Sequence, residues 1–173
     1  ATSDKMIGSS AAWAAGYTGA GSRIAIIDTG ADVDHPSLDP DALKYALQGS
    51  NATIMTEADL TDEVLNQLNA YTRKAGLTAA DFYVNEKIPF GFNYVDADTD
   101  ITHDNDTQGD HGSHVTGIAA GNRFVKDEAG NYVAALDSVM TQGVAPDAQI
   151  LTMKVFGKGG GAYDSDYMVA IED

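Results

Sequence analysis

Three observations predict a three-layer α/β/α fold with a mainly parallel sheet. Arg23 to Asp28 is a near-continuous apolar run that ends on a carboxylate, the pattern of a strand in a parallel sheet. Gln149 to Phe156 is a second such strand. Between them, His111 to Ala120 is a helix of small residues, able to pack closely on a sheet, and Gly121-Asn122 is a natural stop. The order strand, loop, strand, helix, strand, helix favours parallel pairing with helices against the sheet.

The other elements follow in order. Ser9 to Ala15 reads as a short capped helix, and Gly16 to Gly21 as a turn. Thr29 to Pro40 is a loop. Residues 41–88 form a long excursion, expected to ride on the main domain because it has too few apolar residues to stand alone. Within it, Leu60, Val64, Leu65 and Leu68 fall at helical spacing across Glu57 to Ala70, and Thr78 to Tyr83 reads as a further helical turn. Pro89 to Val95 alternates like a strand. Val95 to Asp110 is a polar loop with six aspartates and no lysine or arginine. Asp127 to Asn131 is a turn, Gly157 to Gly161 a flexible loop, and Tyr163 to Asp173 a helix with no stop signal. That open helix leads us to expect that more chain follows.

Composition narrows the function. The 173 residues suffice for one core. There is no apolar run of about 18 residues, the length that spans a bilayer. No cysteine is present, which excludes disulfides and thiolate metal sites. Ten basic and 26 acidic residues give a formal charge of −16, a surface that repels nucleic acid and anionic lipid. No basic, apolar leader precedes Ala1, so any signal peptide is expected to have been removed or left out.

Two stretches carry chemistry. Ile24 to Gly30 delivers Asp28 at a strand end, where α/β folds place functional groups. Taken alone, Asp28-Thr29-Gly30 also fits a turn aspartate or the motif of aspartic proteases. Asp110 to Gly117 sets His111 at the start of a helix. A histidine titrates near neutrality and can take and return a proton, and a carboxylate can fix its tautomer. His111 and His114 lie three apart with no glutamate between them, which disfavours zinc. His114 is expected to be a core histidine, and His35 and His103 to be structural or solvated.

These residues carry a family resemblance. Ile26-Ile27-Asp28-Thr29-Gly30, with Asp34-His35-Pro36-Ser37-Leu38, resembles the aspartate motif of the subtilisin-like serine proteases. His111-Gly112-Ser113-His114-Val115-Thr116-Gly117 resembles their histidine motif, usually HGTHVAG, from which Ser113 and Thr116 depart. Gly143-Val144-Ala145-Pro146-Asp147-Ala148 and Met153-Lys154-Val155-Phe156 resemble the next shared segment. Ile88 to Tyr94 (IPFGFNY) is similar to the C5a peptidase and lactocepin group of cell-envelope proteinases. The matches run from about Gly19 to the last residue, in the family's order.

The resemblance implies the N-terminal part of a catalytic domain. It makes Asp28 and His111 two members of an Asp-His-Ser triad in a serine endopeptidase. The serine, the oxyanion asparagine and the main specificity pocket would lie in the remainder of the same protease chain. It also implies that Gly159, Gly160, Gly161 and Tyr163 bind a polypeptide substrate in extended form; a flexible loop is the plain alternative. Secretion or attachment to a bacterial cell wall is implied as well. No cofactor is required for the chemistry. Asp96, Asp98, Asp100, Asp104 and Asp106 offer oxygen ligands suited to structural calcium, or form a solvated acidic loop. The metal-binding residues are left open. Two other functions stay in view: a pseudoprotease or peptide-binding module, and an acidic calcium-binding surface domain.

Overall fold

The computed structural model describes residues 2–173. Helices α1 (Thr2–Ile7) and α2 (Ser9–Ala14) lead into strand β1 (Arg23–Asp28). The excursion holds α3 (Pro40–Ala46), α4 (Asp62–Leu65), α5 (Asn69–Arg73) and α6 (Ala79–Phe82). Strand β2 (Phe90–Asn93) and helix α7 (His111–Ala120) follow. Then come β3 (Phe124–Lys126), β4 (Tyr132–Ala134), α8 (Ala135–Ser138), β5 (Gln149–Lys154) and α9 (Asp164–Glu172).

The central sheet has the order β1-β5-β2 and is parallel throughout. β5 is its middle strand, buried at every residue but Leu151. β1 is an edge strand among the described residues, which is why Ala25 is exposed and Ile24 and Ile27 are half-buried. In-register pairing sets Asp28 beside Lys154, and Asn93 beside Lys154 on the other side. Three polar side chains thus end three strands in one row.

Residues alternate between the two faces of the sheet, as strand geometry requires. Ile26 and Ile150 join Leu38, Ile88, Ile101 and the α7 residue Ala120 in one cluster. Met153, Phe92, Phe90 and Tyr94 join Val155 and the α9 residue Ala170 in another. Leu60, Leu65, Leu68 and Phe82 of the excursion enter this second cluster. The excursion therefore shares the main core.

Helix α7 is fixed at both ends. Its last carbonyls would lack partners within the helix; the 143–145 segment supplies them. Val144 N–H donates to Ile118 O and Ala145 N–H to Ala119 O, both at 2.9 Å. A Cβ on Gly143 would sit 2.3 Å from Gly121 N, so only glycine lets the segment pass this close.

Two expectations change. The Glu57 to Ala70 run is not one helix: a single 3₁₀ turn at Glu57–Asp59 precedes α4 and α5. Thr61 starts α4 anew, its hydroxyl accepting from Val64 N–H. The Asp127 to Asn131 turn closes an antiparallel hairpin, β3 with β4, whose three-residue strands gave no periodic signal.

One buried cation gives a pH prediction. Lys87 is fully buried and donates to Pro146 O at 2.9 Å and Ala148 O at 2.8 Å. Desolvation pulls its pKa down from 10.5 to about 7, against the attraction of Asp147. Between those values the unfolded chain binds the extra proton, so stability rises as pH climbs from about 7 towards 10.5. Urea unfolding at several pH values checks this, and Lys87→Met should flatten that part of the curve.

Candidate active site

Asp28 closes β1, and the turn after it is held from three sides. Thr29 N–H donates to Asp28 Oδ1 at 2.7 Å. Thr29 Oγ1 accepts from Gly112 N–H at 2.8 Å, satisfying one of the free donors at the start of α7. Asp110, at the N-cap position, makes no side-chain cap, so this tertiary bond takes that role. Ala31 N–H donates to Ile101 O at 2.8 Å. Gly30 has φ 107°, and a Cβ there would lie 2.3 Å from Ile101 O. The glycine is required on both counts.

Gly112 fits against the same turn. A Cβ at this position would lie 2.1 Å from Gly30 O. The helix start therefore touches the strand end, and His111 meets Asp28. The His111 Nδ1 atom is 2.9 Å from Asp28 Oδ1 and 3.1 Å from Oδ2. The Asp28 side chain is 16% exposed and the His111 ring 70%. Nδ1 faces the carboxylate.

The hydrogen bond to Asp28, and then its charge, raise the His111 pKa above 6.5. A raised value means the charged pair stabilises the fold below pH 6.5. That contribution is lost as pH climbs through the raised value. Chemically, an imidazole tied at Nδ1 has its Nε2 left to exchange a proton with a partner in front of it.

His114 is a correction. It is exposed, not in the core. The buried face of α7 is Gly112, Thr116 and Ala120; His111, His114 and Ile118 share the open face. His114 lines the same cleft as His111, a space of about 920 Å³ bounded also by Asp32, Leu38, Ile118 and Met140. His114→Ala is therefore expected to leave the melting temperature of this chain within about 1 °C, since surface changes cost little. Thermal unfolding followed by circular dichroism checks this.

His35 accepts from Ser37 N–H through Nδ1. His103 is half-buried, with Nε2 on Ser113 Oγ and Nδ1 buried without a hydrogen-bond partner. Ser113 Oγ also accepts from Asp32 N–H. The serine of the histidine motif is thus engaged by Asp32 and His103.

The structure places Gly159, Gly160, Gly161 and Tyr163 on the surface, outside the His111 cleft. Gly157 N–H donates to Gly161 O, and Gly160 N–H to Gly157 O, closing a tight turn. Tyr163 is 64% exposed at the N-cap of α9. The acidic loop is crosslinked by protein groups. Lys158 faces Asp98 and Asp100 at 3.5 and 3.8 Å. Asp96 accepts from Asn93 Nδ2 and Lys158 N–H. Asp106 is buried against Lys154. Among the described residues, no group of three or more histidine or acidic side chains is arranged to hold a metal ion.

Residues 19–173 match the subtilase family, peptidase S8. The chain belongs to the subtilase family. It is 35% identical over 144 residues to the PII-type proteinase of Lactococcus lactis subsp. cremoris, covering 81% of this chain and 6% of that protein. It is 28% identical over 171 residues to the minor extracellular protease Vpr of Bacillus subtilis (strain 168), covering 96% and 14%. To bacillopeptidase F of the same organism it is 30% identical over 161 residues, covering 93% and 8%. This subtilase chain thus spans a small fraction of the length of these relatives. No helix among its described residues is long and apolar enough to cross a membrane.

Sequence reading missed Thr29 and Lys154 as parts of the site. Lys154 left a signal: a lysine inside an apolar strand run needs a buried partner.

Proposed function

We propose that this chain supplies the base and its orienting carboxylate to a subtilisin-like serine endopeptidase, with the three-layer fold completed by further chain. The observation that carries this reading is the contact of His111 Nδ1 with both oxygens of Asp28, in a chain of the subtilase family. His111 is the general base and Asp28 fixes its tautomer. A serine on another segment of the protein loses its proton to His111 Nε2 as its oxygen attacks the peptide carbonyl. The imidazolium, stabilised by Asp28, then gives that proton to the leaving amine. Water repeats the cycle to release the acyl group.

The substrate in this reading is a polypeptide, laid in extended form along Gly159, Gly160, Gly161 and Tyr163. The exposed turn leaves room for another backbone at Gly159 and Gly161, where no atom lies within 4 Å of an added Cβ. The likeness to bacterial proteinases, one of them named an extracellular protease, supports a secreted or wall-associated bacterial enzyme. No cofactor is needed for this acyl transfer. A calcium titration of the melting temperature tests the acidic loop as an ion site.

This chain by itself is expected not to hydrolyse casein, because a base without nucleophile and oxyanion donors forms no acyl intermediate. The full-length protein is expected to hydrolyse it and to be inactivated by a serine-directed organophosphate. Hydrolysis by the purified chain alone would overturn the division of labour. A full-length protein that neither cleaves nor is labelled would favour a pseudoprotease.

A further inference from the structure

The Lys154 ammonium lies under the catalytic turn. Its side chain is fully buried, on the strand residue paired with Asp28. Nζ donates to Thr29 O at 2.8 Å, to Thr102 O at 3.2 Å, and to the Asp106 carboxylate. The Asp106 side chain is 2% exposed, so both charges are out of water and each depends on the other. A Cβ on Gly30 would come within 3.4 Å of the lysine's Cδ, so the stem also packs on the turn.

The three acceptors sit on separate pieces of chain. Thr29 follows Asp28, Thr102 follows the loop that grips Ala31, and Asp106 lies five residues before His111. An ammonium has three donors, and here they are matched to three acceptors. A methionine would fill the same volume without any of these bonds.

We propose that Lys154, paired with Asp106, is a positioning residue for Asp28. The ammonium fixes the Thr29 carbonyl and thereby the Thr29 peptide. That peptide's N–H holds Asp28 Oδ1, and the threonine hydroxyl receives the Gly112 N–H. Two contacts that aim the carboxylate at His111 thus converge on one residue that the buried lysine anchors. The pair is neutral as a whole, so it can be replaced by apolar residues without leaving an unpaired charge.

The inference rests on the Asp28–His111 reading, so the test separates the two. The His111 ring is titrated by NMR in the full-length protein and in its Asp28→Asn, Lys154→Met/Asp106→Leu and Asp106→Asn variants. A lower midpoint in Asp28→Asn establishes that Asp28 acts on His111; an unchanged one ends the underlying reading and this one with it. Given that drop, the folded double variant is expected to cover roughly half or more of the same gap, because a displaced carboxylate no longer favours the imidazolium. Asp106→Asn, which keeps a hydrogen-bonding group, is expected to fall between the double variant and the parent. As a control, Arg123→Met/Asp147→Leu removes a different part-buried ion pair and should leave the midpoint in place. A purely structural role for Lys154 would change melting temperatures only. A parental His111 midpoint in either folded Lys154 or Asp106 variant would overturn the proposal.

Discussion

Replacing His111 or Asp28 by alanine in the full-length protein is expected to lower kcat for peptide hydrolysis by about 10⁴-fold or more with little change in KM. That size is the one known for triad removal in subtilisin itself, a member of the same family. The distances in this chain set the direction. The His111 side chain is 70% exposed, so little packing is lost with it. Asp28 touches the ring through both oxygens, so its loss frees the tautomer and leaves the imidazolium unstabilised. The deficit belongs to the transition state, where the proton moves. Circular dichroism and steady-state kinetics on one peptide should show a folded protein without turnover. A folded His111→Ala enzyme with near-parental kcat would remove His111 from the mechanism.

Gly112→Ala is expected to damage both the fold and the Asp28–His111 contact. The new Cβ would meet Gly30 O at 2.1 Å and Gly30 N at 2.9 Å. Both are backbone atoms of a turn that is itself pinned to Ile101, so neither side yields cheaply. Overpacking of this kind costs about 1–3 kcal/mol. The strain is relieved by lifting the start of α7, which breaks the Gly112–Thr29 bond and moves His111 away from Asp28. Two readouts should change together: the melting temperature falls, and the His111 titration midpoint returns towards that of an ordinary histidine. Gly117→Ala lies in the same helix with nothing within 4 Å of the added carbon. It should be tolerated, because alanine favours helix more than glycine does.

Much of the site was legible because its local signals agree. An apolar run ending in Asp28-Thr29-Gly30 and a small-residue run starting at His111 specify a strand end and a helix start. The parallel pairing of β1 with β5 follows from two such runs separated by a helix. What local pattern could not show is which way α7 faces. Its run of small residues has little contrast between faces, and the sheet chose Gly112, Thr116 and Ala120. His114 was therefore misplaced in the core.

The excursion failed differently. Leu60, Leu65 and Leu68 are buried as their spacing suggested, but Thr61 and Leu68 begin new helical segments and break the run. The β3–β4 hairpin escaped because three residues per strand carry no period. The acidic loop looked uniform in sequence. In the fold its carboxylates divide between buried Lys154, half-buried Lys158 and the Lys158 backbone N–H, partners that lie 48 to 62 residues downstream.

The most direct test of the Asp28–His111 couple joins two titrations in the full-length protein. The value of kcat/KM for one peptide is measured from about pH 5 to about pH 9, the span over which histidines titrate. The His111 ring is followed by NMR over the same range. A general base must be neutral to accept the serine proton, so the rising limb of activity should coincide with the His111 midpoint. That midpoint should lie above 6.5, where Asp28 holds it. Activity that stays flat while His111 titrates would contradict its role as the base.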